Sequence, residues 1–187
     1  RWGLKQVNRI IADSEASKSD VERITGFPSC RIDVVHLAPS PVFGPIHEAS
    51  VLSGIKKKYG LPDTFILYVG DVNWNKNIIG LLKAFSKLIT KYPNLKLVLV
   101  GKSFLNTTLV ETEEINQLIA TLHLDPYIIK TGFVDNEQLT ILYSLATALL
   151  LPSHYEGFGL PVLEAMACGC PVVVSDISSL TEISGPS

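Results

Sequence analysis

The chain has 187 residues, 47% of them hydrophobic, and a formal net charge of −2 from 16 basic and 18 acidic side chains. That is ordinary globular material for one domain, or one domain with part of another, and it excludes the basic excess of a nucleic-acid binder and the long apolar run of a membrane span. Three cysteines without metal-ligand spacing, Cys30, Cys168 and Cys170, imply a reduced, cytoplasmic setting.

In chain order, Val7 to Ala12 reads as a strand, Glu15 to Ile24 as a helix and Ile32 to His36 as a second strand. One βαβ unit cannot bury both its faces, so it is expected to be the end of a preceding domain. Ala38-Pro39-Ser40-Pro41 and Gly44-Pro45 then form a stiff connector. The expected division is 1–45, the end of a preceding amino-terminal domain with its linker, and 46–187, a second domain cut short at its carboxyl end. Arg1 is not a natural start and Gly185-Pro186-Ser187 is an abrupt end, so the expectation is a fragment of a larger protein.

From Asp63 onward the pattern alternates. Phe65 to Val69 is a strand ending at Gly70, and Ile78, Leu81, Leu82, Phe85, Leu88 and Ile89 recur at helical spacing up to Tyr92-Pro93. Leu95 to Val100 is the second strand, ending at Gly101, and Ile115, Leu118, Ile119 and Leu122 mark the second helix. Tyr127 to Ile129 is the third strand. Leu139, Leu142, Tyr143 and Ala146 mark the third helix, with Asp135 as N-cap and Gln138 at the capping-box position. Ala148 to Leu151 is the fourth strand, Pro161 to Cys168 a helix stopped by Gly169 and Pro171, and the β-branched Val172-Val173-Val174 a buried fifth strand. Apart from Glu164, that last helix is apolar on nearly every face and reads as buried.

Five strands alternating with four helices predict an α/β fold, a doubly wound, Rossmann-like parallel sheet covered on both faces. Its strand order is third, second, first, fourth, fifth, and ligands bind outside the carboxyl ends where the order reverses, between the first and fourth strands. The loops leaving those strands are Gly70-Asp71-Val72-Asn73-Trp74-Asn75-Lys76 and Ser153-His154-Tyr155-Glu156-Gly157-Phe158-Gly159. Topology therefore brings Lys76 towards Glu156 and the helix that carries Glu164. Glu164 alone fits a helix dipole and Glu156 alone a solvated loop. Together, beside a glycine-rich loop with exposed N–H groups, they suit a polar ligand bearing hydroxyls and phosphate. His36, His47, His123 and His154 are scattered, so no metal site is expected.

The stretch from Glu156 to Ala167, followed by Gly169 and Pro171-Val172-Val173, resembles the E-x7-E signature of the group 1 retaining glycosyltransferases of the GT-B fold. Ile66-Leu67-Tyr68-Val69-Gly70, Lys76-Asn77, Leu81 to Phe85, Gly132-Phe133-Val134 and Leu142-Tyr143 extend the likeness, which runs from Ser14 to the end. The resemblance implies the carboxyl-terminal, nucleotide-sugar-binding half of such an enzyme, with a remnant of the amino-terminal half. It implies that Glu164 hydrogen-bonds the donor's ribose hydroxyls and that Glu156 lies near the transferred sugar. Backbone N–H groups of Gly157, Phe158, Gly159 and Leu160 would face sugar and diphosphate. Gly70, Asp71 and Lys76 would lie along the diphosphate, with Lys76 neutralising it, and backbone near Phe133 and Val134 would meet the base. Many members carry an arginine where this chain has Asp71. The implied donor is a UDP-, GDP- or ADP-linked sugar, with no metal or other cofactor. The acceptor would be a glycan, a lipid or a small molecule, and peripheral membrane association would come through the missing domain. The alternative is a nucleotide-sugar-binding or regulatory subunit without transfer activity.

Overall fold

The run Phe65-Ile66-Leu67-Tyr68 is buried at every position, which a strand achieves only when both faces of its sheet are covered. In the computed structural model, which describes residues 6–185, this run begins β3 (Phe65–Val69), the centre of a five-stranded sheet. The other strands of the sheet are β4 (Lys96–Val100), β5 (Ile128–Gly132), β6 (Ala148–Leu151) and β7 (Val172–Val174). The order is β5-β4-β3-β6-β7 with every pair parallel, the doubly wound arrangement expected.

Alternation along the strands divides the core in two. Ile66, Tyr68, Leu97 and Leu99 face α3 (Ile78–Lys91) and α4 (Val110–Thr121). Phe65, Leu67, Val98 and Val100 face α2 (Ala49–Tyr59) and α5 (Asn136–Leu145), together with Ala165 of α6 (Leu160–Ala167). Leu180 of α7 (Ser178–Ser184) closes the first face beside Val162. A smaller parallel pair, β1 (Ile10–Ala12) and β2 (Ile32–Val34), carries α1 (Glu15–Thr25) over a small core of Ala12, Phe27 and Ile32.

Several helix starts follow directly from the sequence. Ser14 caps α1 by accepting from Ser17 N–H at 2.9 Å, and Asp135 caps α5 by accepting from Gln138 N–H at 2.8 Å. Asn77, in the left-handed region at φ 53°, caps α3 through Gly80 N–H at 3.1 Å. A Cβ at Gly80 would sit 2.4 Å from the Asn77 amide oxygen, so the cap requires glycine there.

Two expectations are corrected. The fifth strand is not buried: β7 is the last strand of the sheet and Val173 is 57% exposed, because nothing among the described residues pairs with its outer edge. The helix of the E-x7-E segment is not buried all round either, since only Val162 and Ala165 are fully covered and Met166 is 43% exposed. It begins and ends one residue earlier than Pro161 to Cys168, with Pro161 still in its first turn. Two helices were not expected at all. α2 has serines and a glycine within its apolar spacing, buries only Ile55 and lacks a side-chain cap; α7 is short, serine-rich and also uncapped.

The amino ends of β3 and β6 and the end of α3 border an apolar cavity of about 620 Å³, lined by Ile66, Leu88, Tyr92, Leu95, Leu150 and Val173. Among the described residues no helix is long and apolar enough to cross a membrane.

Candidate functional site

At the opposite, carboxyl end of the sheet the loops after β3 and β6 are stitched together. Asn75 O accepts from His154 N–H at 2.7 Å, the Asn75 amide donates to Tyr155 O at 3.1 Å, and the Asn77 amide donates to Pro152 O at 2.9 Å. A single 3-10 turn, Trp74–Lys76, then aims Lys76 across the gap. Its Nζ donates to both oxygens of Glu156, at 2.7 and 2.8 Å, and Ser153 Oγ donates to Oε1 at 2.7 Å. Glu156 is only 8% exposed, and burying a carboxylate is costly unless it is paired and hydrogen-bonded in this way. The switch point thus joins the two residues that topology alone brings near each other.

The next residues form a braced loop. Glu156 O accepts from Ser178 Oγ at 3.3 Å and Ser179 Oγ at 3.0 Å, both from α7. Gly157 O accepts from Ser14 Oγ at 2.7 Å and Ser17 Oγ at 3.1 Å, both from the α1 region. The N–H groups of Gly157, Phe158 and Gly159 make no hydrogen bond among the described residues. Gly159 has φ 108°, and a Cβ there would lie 2.7 Å from Leu180 Cδ2, so the sharp entry into α6 needs glycine. Leu160 follows as the first residue of α6, and its turn adds the positive end of the helix dipole to the open N–H groups.

Glu164 lies one turn along α6, half-buried, and accepts from the Tyr143 hydroxyl at 2.9 Å. Burial raises the Glu164 pKa, and the hydrogen bond from Tyr143 opposes that shift. Burial, then the charge of Glu164, pushes the Tyr143 phenol far up, so it acts as a fixed donor. One oxygen of Glu164 is therefore oriented by a buried phenol.

The remaining predicted residues divide. Gly70 ends β3, and Asp71 accepts from Ser103 Oγ at 2.9 Å on the exposed rim, while its carbonyl accepts from the buried Tyr68 hydroxyl at 3.3 Å. After β5, Phe133 is 77% exposed, whereas Val134 is 7% exposed and belongs to the core. Phe158 is buried, with its ring 6.2 Å from that of His36. Sequence reasoning missed Ser14, Ser17, Ser153, Ser178, Ser179 and Tyr143 as partners of the loop and its two glutamates. The local signal was weak: Ser153 stands three residues before Glu156, and the others are distant in sequence. Among the described residues no three His, Cys, Asp or Glu side chains gather to hold a metal ion. Cys168 and Cys170 are buried, unpaired thiols, and burial pushes Cys170 up to about 11, which makes them packing groups.

The sequence and the fold have counterparts among known proteins. Residues 54–186 match the family model described as glycosyl transferases group 1. The chain is 34% identical over 182 residues to O-antigen chain mannosyltransferase B of Escherichia coli, covering 97% of this chain and 47% of that protein. It is 32% identical over 181 residues to glycogen synthase of Mycobacterium tuberculosis, covering 97% of this chain and 40% of that one. It spans less than half the length of either. Among solved structures, HepE of Anabaena in complex with UDP and glucose superposes with a TM-score of 0.83 at 20% identity, over 96% of this chain and 47% of that one. Sucrose-phosphate synthase of Thermosynechococcus elongatus gives 0.79 at 27% identity, over 96% and 43%.

Proposed function

The chain belongs to the group 1 glycosyl transferases, and from that premise we propose that it is the donor-binding part of an enzyme that moves a sugar from a nucleotide sugar to an acceptor with retention of configuration. The observation that carries this reading is the Lys76–Glu156 pair at the switch point, beside a loop whose N–H groups are open at the start of α6.

In this reading the diphosphate takes the open N–H groups of Gly157, Phe158 and Gly159 and the first turn of α6 from Leu160. Lys76, now on Glu156, is within the same loop cluster and neutralises the charge that grows on the departing diphosphate. Glu156, released from Lys76 in proportion, accepts from hydroxyls of the transferred sugar. Glu164, with one oxygen held by Tyr143, offers the other to the ribose diol. Gly70 and Asp71 border the phosphates, and backbone beside Phe133 and Val134 meets the base. Asp71 accepts from Ser103 and contributes no cation, so the diphosphate relies on Lys76 and backbone dipoles. The names of the relatives favour a hexosyl donor and a glycan acceptor.

The test uses the full-length protein. Titration with UDP, GDP and ADP in the presence of chelator is expected to give binding to one of them, since no step above uses a metal. Transfer from the matching nucleotide sugar is expected to yield a product whose anomeric configuration, read by NMR, equals the donor's. An inverted product would overturn retention. Binding without any transfer across a glycan panel would favour the non-catalytic alternative, and no binding would sink the donor-site assignment.

A further inference from the structure

The loop that presents the open N–H groups is braced from outside its own sheet. Two successive carbonyls are each held by two hydroxyls: Glu156 O by Ser178 and Ser179, and Gly157 O by Ser14 and Ser17. A carbonyl oxygen has two lone pairs, so the Gly157 oxygen is fully occupied. In a planar trans peptide the C=O and the following N–H point in opposite directions. Fixing Gly157 O towards α1 therefore fixes Phe158 N–H pointing away from α1, and that N–H makes no hydrogen bond among the described residues.

Ser14 has no freedom to do otherwise. It is fully buried, and its hydroxyl accepts from Ser17 N–H while donating to Gly157 O, so the α1 cap and the loop brace share one oxygen atom. Crowding does not hold the loop here, since a Cβ on Gly157 would find its nearest neighbours, Ser17 Oγ and Asp13 Oδ2, at 3.8 and 3.9 Å. Without the hydroxyls a Glu-Gly-Phe-Gly loop has many conformations open to it.

We propose that Ser14 and Ser17 are positioning residues for the donor loop: by pinning the Gly157 carbonyl they preset the Phe158 N–H for a nucleoside diphosphate, and they make donor affinity depend on the placement of α1. The proposal rests on the donor-site reading given above. α1 belongs to the small βαβ unit with its own two-stranded sheet, so a shift of that unit is transmitted to the loop through two hydrogen bonds. Glu182 reinforces the same contact, accepting from Glu15 N–H at 3.0 and 3.1 Å and pairing with His36.

The experiment uses the full-length protein and the tightest binder among UDP, GDP and ADP. Ser17→Ala leaves the α1 cap in place and is expected to weaken that nucleotide about 2–10-fold, the scale of one hydrogen bond; Ser14→Ala/Ser17→Ala is expected to lose about 10-fold or more. Ser14→Thr, which keeps both the cap and the donor, is expected to bind like the wild type. In parallel, the carbonyl carbon shift of Gly157 in nucleotide-free protein is expected to move upfield in the alanine variants and to stay in place in Ser14→Thr. A moved Gly157 signal with unchanged nucleotide affinity would overturn the proposal and leave the donor site standing. An unmoved signal, or a Ser14→Thr variant as weak as the alanine variants, would also overturn it. If the wild type binds none of the three nucleotides, the donor-site reading falls and takes the proposal with it.

Discussion

The two ends of the five-stranded sheet differ more than its two faces. At the amino end lies an open volume of about 620 Å³ walled by leucine, isoleucine, valine and tyrosine. At the carboxyl end the loops are tightly bonded, and they carry a lysine, a glutamate and hydroxyls that converge on one turn. A volume of the same size, about 620 Å³, lies after β7 at the carboxyl end, lined by Val174, Ser175, Asp176, Thr181, Glu182 and Ser184, so the ends differ in the polarity of their walls and not in room. Because every strand is parallel, all the loops after strands meet at one end, and that end collects the polar groups.

That contrast sets the expected responses. Ile66 lines the amino-end cavity, and Ile66→Ala should lower stability by about 2–5 kcal/mol in urea unfolding while nucleotide affinity stays unchanged. A loss of affinity equal to the loss in the site variants would mean the two ends are not independent. Lys76→Ala should reduce the transfer rate of the full-length enzyme about 10²–10³-fold. A thermal melt beside the assay separates that loss from the destabilisation of leaving Glu156 with Ser153 alone.

Glu164→Gln should weaken the nucleoside diphosphate by about 1–3 kcal/mol in calorimetry. Its effect on stability has the opposite sign. The folded pKa of Glu164 is raised by burial, so its charged form opposes folding once the pH exceeds the ordinary glutamate value. The glutamine variant should therefore be at least as stable as the wild type at pH 7, and the difference should shrink on acidification through that pKa.

The smallest effect is expected where α1 meets α7. Burial works to raise the Glu182 pKa, but N–H donors of Glu15 and Ala16 and the side chain of His36 outweigh it and hold the carboxyl below its usual value. Its stabilisation is present above the ordinary glutamate pKa and is lost as pH falls through the lowered one. Glu182→Gln should cost less than about 1 kcal/mol at pH 7, and urea melts of variant and wild type should converge in acid.

The sheet could be read from the sequence because its strands are continuous apolar runs and its long helices carry capped, periodic faces, as in α3 and α5. β3 was placed to the residue. What escaped was marginal or dependent on neighbours. α2 and α7 have weak local signals and owe their place to packing, and the exposure of Val173 depends on which strand stands at the edge. In the site, the meeting of Lys76 with Glu156 followed from strand order. The hydroxyls on Glu156, Gly157 and Glu164 did not, because serines and tyrosines from positions 14 to 179 have no shared pattern until the chain is folded.

Asn77 carries a consequence for how this sequence can change over time. One side chain holds a left-handed backbone, closes the first turn of α3 and grips Pro152 O, which joins the two loops of the switch point. The same amide fills the space a side chain at Gly80 would need. A chain that acquires a side chain at position 80 while keeping Asn77 collides, and one that loses Asn77 first leaves the cap and the Pro152 carbonyl unsatisfied. The two positions therefore constrain each other, and the seam between the loops that carry Lys76 and Glu156 depends on the same side chain.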